Sequence, residues 1–267
     1  MKPFGVVVCC AALAAISAGA ELQKETLDAF QSYVRATEAR LDGMRDPGHF
    51  LWAEQSPERL RQLREGQILI QPWNGKGDQE APGGGLIHDW IGAVFVPGAT
   101  LQRTLGWVQD YDRHKESYRP EVMDSRVLSH RGNDFKIYMR LRKKKVITVV
   151  LDTEHDVHYF QVDATRWYSR SYSTRIQEVD DPGTPEERLL PAGDDHGFLW
   201  RLYSYWKFEQ RDGGVYLECQ ALSLSRDVPT GLGWLIEPII RQLPRESLAN
   251  TLRSTRDAIL PKAAAAR

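Results

Sequence analysis

Alternation of apolar and polar residues runs through the second half of the chain, and it constrains the fold more than any other feature. The predicted strands are Glu121–His130, Asp134–Arg142, Val146–Thr153, Val157–Asp163, Arg166–Glu178, Phe198–Glu209 and Val215–Arg226. Short turns rich in Gly, Asn and Asp separate several of them. Neighbouring strands joined by short links pair antiparallel, so the pattern predicts a large antiparallel meander.

Three of these strands carry an apolar face. Its members are Phe135, Ile137, Met139 and Leu141, then Phe198, Trp200, Leu202, Trp206 and Phe208, then Val215, Leu217, Cys219 and Ala221. A sheet with such a face needs a cover. The C-terminal segment supplies one: Pro229–Leu243 is apolar almost all round, and Pro244 restarts a helix with Leu248, Leu252 and Ile259 at helical spacing.

The first half of the chain is predicted to add helices and two more strands. The helices are Leu22–Leu41, a short one from Ser56-Pro57, and one from Pro97 to Asp110, and the strands are Gln67–Gln71 and Leu86–Val96. Gly83-Gly84-Gly85 lacks the Lys-Ser/Thr ending of a phosphate-binding loop, so turn chemistry explains it. The fold class is α+β, with one domain over residues 21–262 and a disordered tail over residues 263–267.

The first twenty residues have the pattern of a secretory signal peptide. Lys2 supplies the positive start, Val6–Ile16 the apolar stretch, and Ala18-Gly19-Ala20 the small residues before a cleavage site near Ala20. A secreted or periplasmic location follows. The alternatives are an uncleaved anchor, for which the run is short of the roughly twenty residues of a bilayer span, and a lipoprotein acylated at Cys9 or Cys10.

The net charge and the cysteine content of the chain exclude some classes of partner and of structure. The chain of 267 residues has a net charge of −1, from 35 basic and 36 acidic residues. Such balance creates no field for nucleic acid, so no nucleic-acid partner is predicted. Cys219 is the one cysteine beyond the signal segment, which leaves no internal disulfide. Its place in an apolar strand predicts a buried, inert thiol.

Besides the order of helices and strands, several short segments of the sequence point to a known family. They are Pro97–Thr100, Asp110–Asp112, Tyr118–Val122, Gly213–Cys219, Leu224–Pro229, Trp234 and Leu243–Leu248. With that order, they resemble the START-like superfamily of polyketide cyclases, dehydrases and lipid-transport proteins, over roughly residues 22–259. The resemblance implies a helix-grip fold, in which a curved antiparallel sheet wraps a long C-terminal helix and encloses a cavity for an apolar molecule. The superfamily shares no catalytic residues, so none is transferred.

The predicted ligand-binding residues come from the apolar faces and from one unusual strand. They are Trp90, Phe135, Ile137, Met139, Trp167, Ser171, Arg175, Trp200, Trp206, Leu217, Trp234 and Ile239. In the unusual strand, Ser169, Ser171, Ser173 and Arg175 alternate with larger residues. This small face either lines the cavity, where Arg175 would neutralise an acidic headgroup, or faces water. The segment Gly231–Leu243 is the candidate lid, with Pro238 as its hinge.

Four other groups of polar residues contain the residue types found in metal, catalytic or charged sites. The set Asp152, Glu154, His155, Asp156 and His158 has metal-ligand types, but it falls where one strand is predicted to turn into the next. His88-Asp89 and Asp194-Asp195-His196 place a base beside a carboxylate without a nucleophile elbow, and sequence neighbours do not face one another. The run Arg142–Lys145 either contacts phosphate or lipid headgroups or, as the favoured interpretation, forms a charged edge that keeps the sheet soluble. No catalytic residue, metal or cofactor is predicted.

The function predicted from these patterns is an exported, monomeric binding or carrier protein for a lipid-like or other hydrophobic small molecule, with transient membrane contact. One alternative is a cavity-based enzyme, cyclase-like or hydrolytic, that uses His158 or Glu218. The other is an envelope scaffold whose cavity is filled by side chains. A cavity below roughly 300 Å³ would favour the scaffold. Polar groups converging inside the cavity would favour the enzyme.

Overall fold

A computed structural model describes residues 20–144, 148–227 and 233–260 of the chain, with side chains of residues 233–241 outside that description. Its strands are β1 (Ala20–Glu21), β2 (Leu69–Pro72), β3 (Asp78–Ala81), β4 (Gly85–Pro97), β5 (Val122–Arg131), β6 (Asp134–Lys144), β7 (Thr148–Gln161), β8 (Arg166–Asp180), β9 (Arg188–Leu189), β10 (Asp194–Asp195), β11 (Arg201–Arg211) and β12 (Gly214–Arg226). Its α-helices are α1 (Lys24–Asp42), α2 (Pro57–Arg64), α3 (Leu101–Val108), α4 (His114–Ser117) and α5 (Gly233–Ile259).

Ten of these strands form one antiparallel sheet. Its order is β2-β4-β12-β11-β8-β7-β6-β5, with β3 also beside β4 and β9 beside β8, while β1 pairs with β10 separately. The long terminal helix α5 lies against β4 and β12. The predicted α+β class, with an antiparallel sheet and a long C-terminal helix in a helix-grip arrangement, is confirmed.

Two predicted boundaries were wrong. The strands expected over residues 146–153 and 157–163 are one strand, β7, because the polar residues between them continue the alternation on one face instead of turning. The terminal helix does not restart at Pro244, since α5 is continuous from Gly233 through that residue. Within the candidate lid, residues 231 and 232 and the side chains up to 241 lie outside the described part of the chain.

The inner face of the sheet, defined here as the face toward α5, carries the main apolar core. Its members come from β4, β6, β7, β11 and β12, and α3 and α5 complete it with Leu101, Val108, Leu248, Leu252 and Ile259. The apolar positions of the alternating strands therefore lie on the face that packs against these helices.

The outer face is also covered, which the alternation of β11 and β12 did not predict. Helix α1 packs Phe30 and Val34 on it, in a cluster with Leu222 and Leu224 of β12. The segment from Phe50 to Ala53 and helix α2 form a further cluster there. Strand β4 is consequently buried on both sides, and this explains why its sequence is apolar almost throughout.

Helix α5 lies close to the sheet at Gly92 of β4. A Cβ atom at this glycine would lie 2.6 Å from Leu252 Cδ1 and 2.9 Å from the Leu69 carbonyl oxygen. One of these neighbours is backbone and cannot move aside cheaply. The absent side chain is thus what allows the helix to rest on β4 here.

Replacing Gly92 with alanine should therefore destabilise the protein. We expect G92A to lower the free energy of unfolding by about 1–3 kcal/mol through overpacking, as measured by urea titration. Gly106 in α3 is the matched control, since nothing lies within 4 Å of a Cβ there. G106A should instead raise stability by roughly 0.5–1 kcal/mol through helix propensity. Equal effects of the two substitutions would contradict the close approach.

Candidate ligand cavity

A cavity of about 620 Å³ lies between the inner face of the sheet and α5. Strands β6, β7, β11 and β12 line it with apolar side chains, and α5 contributes Leu243, Leu248 and Thr251. Its walls also carry serine, tyrosine and histidine side chains. The space is therefore an apolar chamber with isolated polar groups, which is the usual composition of a small-molecule site.

Short side chains on adjacent strands create this space. Ser171 of β8 lies opposite Ser204 of β11, which lies opposite Ala221 of β12. All three residues line the cavity. Since none of these side chains extends far from the sheet, the inner face does not reach α5 at this row, and a gap remains.

Tyrosine side chains border the cavity near α3. The hydroxyl groups of Tyr111 and Tyr159 lie 2.7 Å apart, and the Tyr118 hydroxyl lies 2.7 Å from Thr255 Oγ1 on α5. Burial raises the pKa of Tyr111 and Tyr159 well above the ordinary value for a phenol. These hydroxyl groups therefore stay neutral and can exchange hydrogen bonds with a ligand.

A pair of opposite charges also borders the cavity. Lys143 forms an ion pair with Glu121, whose other carboxylate oxygen accepts a hydrogen bond of 2.6 Å from Asn250 Nδ2. Burial lowers the pKa of Lys143, and the charge of Glu121 opposes that shift. Because the two charges compensate, this pair adds little net field to the cavity.

Two buried histidines line the cavity in their neutral form. Burial lowers the pKa of His114 and of His155 to about 4 in each case. Thr153 Oγ1 donates to the Met139 carbonyl oxygen and lies 3.2 Å from His155 Nε2. The threonine proton is thereby used, so His155 donates from Nε2 and Nδ1 is left as an acceptor. No partner for that Nδ1 exists among the described residues.

Two further histidines at the cavity wall pair with carboxylates from other strands. His88 Nδ1 lies 2.8 Å from Asp78 Oδ1, and His196 Nδ1 lies 2.7 Å from Glu178 Oε2. The sequence neighbour Asp89 instead faces outward, where it accepts from Tyr33 and Gln220 at 2.7 Å each. Burial raises the pKa of Asp89 to about 6. The sequence argument that adjacent residues do not face each other holds, but it could not identify the true partners.

The predicted ligand-binding residues are distributed over several environments. Ile137, Met139, Ser171 and Trp206 line the cavity. Phe135 and Leu217 are buried in the inner core, and Trp90 and Trp167 pack against that core. The side chains of Trp234 and Ile239 lie outside the described residues.

Two predicted residues, Trp200 and Arg175, are on the outer side of the sheet. Trp200 precedes β11 rather than alternating within it, and it packs in the cluster under α1 while its Nε1 donates to Asp195. A β-bulge at Thr174 shifts the register of β8, so Arg175 pairs with Glu154 instead of sharing the face of Ser169 and Ser171. Arg175 is therefore not placed to neutralise a headgroup in the cavity.

Apart from His155, which lines the cavity, the metal-like cluster lies on the outer face of β7, where its carboxylates form ion pairs. Glu154 contacts Lys136 and Arg175, and Asp152 lies 3.7 Å from Arg140. No metal-ligand group of three or more residues exists among the residues that the structure describes.

The two residues named for the enzyme alternative are also outside the cavity. His158 is paired with Asp134 at the surface. Glu218 is buried on the outer face and accepts from the Ala53 amide at 3.3 Å, and burial raises its pKa. Neither can act on a molecule held against α5.

Several cavity residues were missed by sequence reasoning. They are Tyr111, His114, Tyr118, His155, Tyr159, Ser204 and Ser223. Ser204 and Ser223 alternate with large residues in their strands, which is the signal already noted for Ser171. Tyr111, His114 and Tyr118 lie close together in the sequence and Tyr159 comes from β7, and no local pattern marks any of them as cavity residues. Cys219 is buried as expected, and burial raises its pKa well above the ordinary value for a thiol.

No family model matches this chain, and a search of curated proteins finds no match. Among solved structures it is similar to a STAR-related lipid transfer protein fragment from Xanthomonas axonopodis, at 15% identity and a TM-score of 0.45 over 68% of this chain and 97% of that one. It is also similar to human STARD10, at 10% identity and a TM-score of 0.41 over 75% and 79%.

A third similar structure is the di-domain ARO/CYC StfQ from the steffimycin biosynthetic pathway. The identity is 14% and the TM-score 0.43, over 65% of this chain and 50% of that one. These likenesses concern the fold alone. The START-like superfamily stays a prediction for this chain.

The neutral cavity histidines predict a loss of stability in acid. Because the folded pKa of His155 lies below the ordinary 6.5, the unfolded chain binds a proton first, so stability declines as pH falls from 6.5 toward 4. We expect H155Q to remove up to about 3 kcal/mol of this decline. The measurement is urea unfolding at pH 7.5 and pH 4.5. The exposed His49 supplies the control H49Q, and an equal pH dependence in both variants would refute the assignment.

Proposed function

We propose that this protein is an exported binding or carrier protein for a lipid-like or other hydrophobic small molecule. The observation that carries the proposal is the cavity of about 620 Å³ between the sheet and α5. It lies within the range of roughly 300–1,000 Å³ typical of small-molecule sites. A scaffold with a cavity filled by side chains would not contain this volume.

Apolar burial is the expected source of affinity. Side chains such as Ile137, Leu151, Val157, Trp206 and Phe208 line the walls. Burying about 300 Å² of apolar ligand surface at about 25 cal/mol per Å² would contribute about 7 kcal/mol. Part of this offsets the loss of translational and rotational freedom on binding.

The polar groups of the cavity favour an uncharged headgroup. Ser171, Ser204 and Ser223 present hydroxyl groups toward the space, and His114 and His155 there are neutral. The ion pair of Lys143 and Glu121 is already compensated. A ligand with hydroxyl, carbonyl or ester groups would be oriented here at lower cost than a free carboxylate, because an unpaired buried charge is expensive.

Export to the periplasm or the medium is the second part of the proposal. It is supported by residues 1–20, whose charge, apolar run and small residues suit a signal peptide. None of the described helices is long and apolar enough to cross a bilayer. We further propose a monomer that takes up its ligand during brief membrane contact, with residues 231–243 as a lid.

Native mass spectrometry of the mature protein, purified from its export compartment and then extracted with organic solvent, tests the carrier function. A co-purifying apolar molecule is expected, or uptake of one from a lipid extract. A clean mass of the free protein with no uptake would overturn the proposal.

A cavity-filling variant localises the binding. We expect S171F to weaken binding of a fluorescent fatty alcohol at least about tenfold, since the new ring occupies the row of short side chains. The measurement is a fluorescence titration. S129F is the matched control, because Ser129 is exposed on β5 and its replacement adds the same volume outside the cavity. Equal affinities of the two variants would place the ligand elsewhere.

A further inference from the structure

Three strands place an aspartate, a histidine and a serine in a line at the cavity wall. Asp78 of β3 lies directly opposite His88 of β4. On the other side of β4, His88 is opposite Ser223 of β12, so Ser225 is its diagonal neighbour on the same face. His88 Nδ1 lies 2.8 Å from Asp78 Oδ1, and His88 Nε2 lies 3.0 Å from Ser225 Oγ.

The hydrogen-bond roles in this line follow from the acceptors present. An ionised Asp78 carboxylate can only accept, so a neutral His88 carries its proton on Nδ1. Its Nε2 is then an acceptor that faces the Ser225 hydroxyl. The Arg226 carbonyl oxygen, 3.0 Å from Ser225 Oγ, is the other acceptor within reach. When the hydroxyl donates to His88, the imidazole is placed as a general base for the serine.

These three side chains are buried, yet two of them border the cavity. The side chains of His88 and Asp78 are 3% and 8% exposed, and Ser225 is 3% exposed. His88 and Ser225 both line the cavity wall. The hydroxyl can thus be reached from the chamber that would hold an apolar ligand, while bulk water is largely excluded from the imidazole and carboxylate.

We propose that Ser225, His88 and Asp78 form a nucleophilic site that hydrolyses an ester of a hydrophobic acid or alcohol held in the cavity. This inference rests on the proposed binding function and adds turnover to it. Ser225 and His88 are the catalytic residues. Asp78 is a positioning residue that fixes the tautomer and orientation of the ring.

The reaction needs water as its only co-reactant. Ser225 Oγ attacks the ester carbonyl carbon while His88 Nε2 takes the hydroxyl proton. The bond from that carbon to the alcohol oxygen breaks, and His88 returns the proton to the departing alcohol. Water then attacks the acyl-serine with the same proton transfers, which releases the carboxylic acid and restores Ser225.

Charge developing on the carbonyl oxygen needs hydrogen-bond donors near Ser225. The backbone amides of Arg226 and Asp227 do not serve this purpose, since they donate to the Gly197 and Gly84 carbonyl oxygens at 2.8 and 2.7 Å. Arg226 borders the cavity, and its Nη1 donates to the His196 carbonyl oxygen at 3.1 Å.

An alkyl fluorophosphonate probe tests the nucleophile on the whole mature protein. The expected result is one covalent adduct, assigned to Ser225 by peptide mass spectrometry, with hydrolysis of 4-nitrophenyl esters in parallel. S225A should abolish both. H88Q should slow labelling by roughly 10²–10⁴-fold. S129A is the control, because Ser129 is exposed on β5, outside the cavity, and it should label like the unmodified protein.

Uptake of a fluorescent fatty alcohol, measured on every variant, separates turnover from binding and from misfolding. Protein that takes up the fatty alcohol but forms no adduct overturns this inference and leaves the binding function intact. An adduct on another residue, or equal labelling of S225A, also overturns it.

D78N should slow labelling and alter its pH profile while fatty-alcohol uptake is kept. An unchanged pH profile with an unchanged rate would remove Asp78 from the site. The comparison of S225A with S129A decides the inference even if H88Q does not fold.

Discussion

The contact between α5 and the sheet is the constraint on which the rest of the structure depends. At Gly92 the helix rests almost on the backbone of β4, because no side chain intervenes. Along the row of Ser171, Ser204 and Ala221 the inner face is equally short, but α5 does not fill the space. A single helix on a wide sheet cannot contact every strand. The cavity is the space that remains between α5 and the strands that it does not reach.

Burial on both faces of the sheet limits which polar residues its central strands can carry. The outer face is held by α1 and by the segment around Trp52, so β4 and β12 sit in the middle of three layers. Buried strands carry few polar residues, and each one present needs a partner. The partners of His88, Asp89 and His196 all come from other elements. Function and stability therefore draw on the same cross-strand polar contacts.

Burial keeps several titratable groups of the cavity in their neutral form. The tyrosines keep their protons, and the histidines His114 and His155 lose theirs, for the same reason: burial disfavours the charged form of each group. The phenol groups and the imidazoles of His114 and His155 consequently offer a ligand hydrogen bonds rather than charge. Such an interior suits a molecule that is apolar over most of its length and carries uncharged polar groups.

The sequence by itself determined the antiparallel sheet, the long terminal helix, the inner face of β6 and the burial of Cys219, because each depends on a local period of two or 3.6 residues. It could not determine which elements meet. A one-residue bulge at Thr174 moved Arg175 to the opposite face, and strand register brought Asp78 and Ser225 to His88. Those contacts depend on pairings between residues distant in the chain, which no local pattern encodes, so only the tertiary structure decided them.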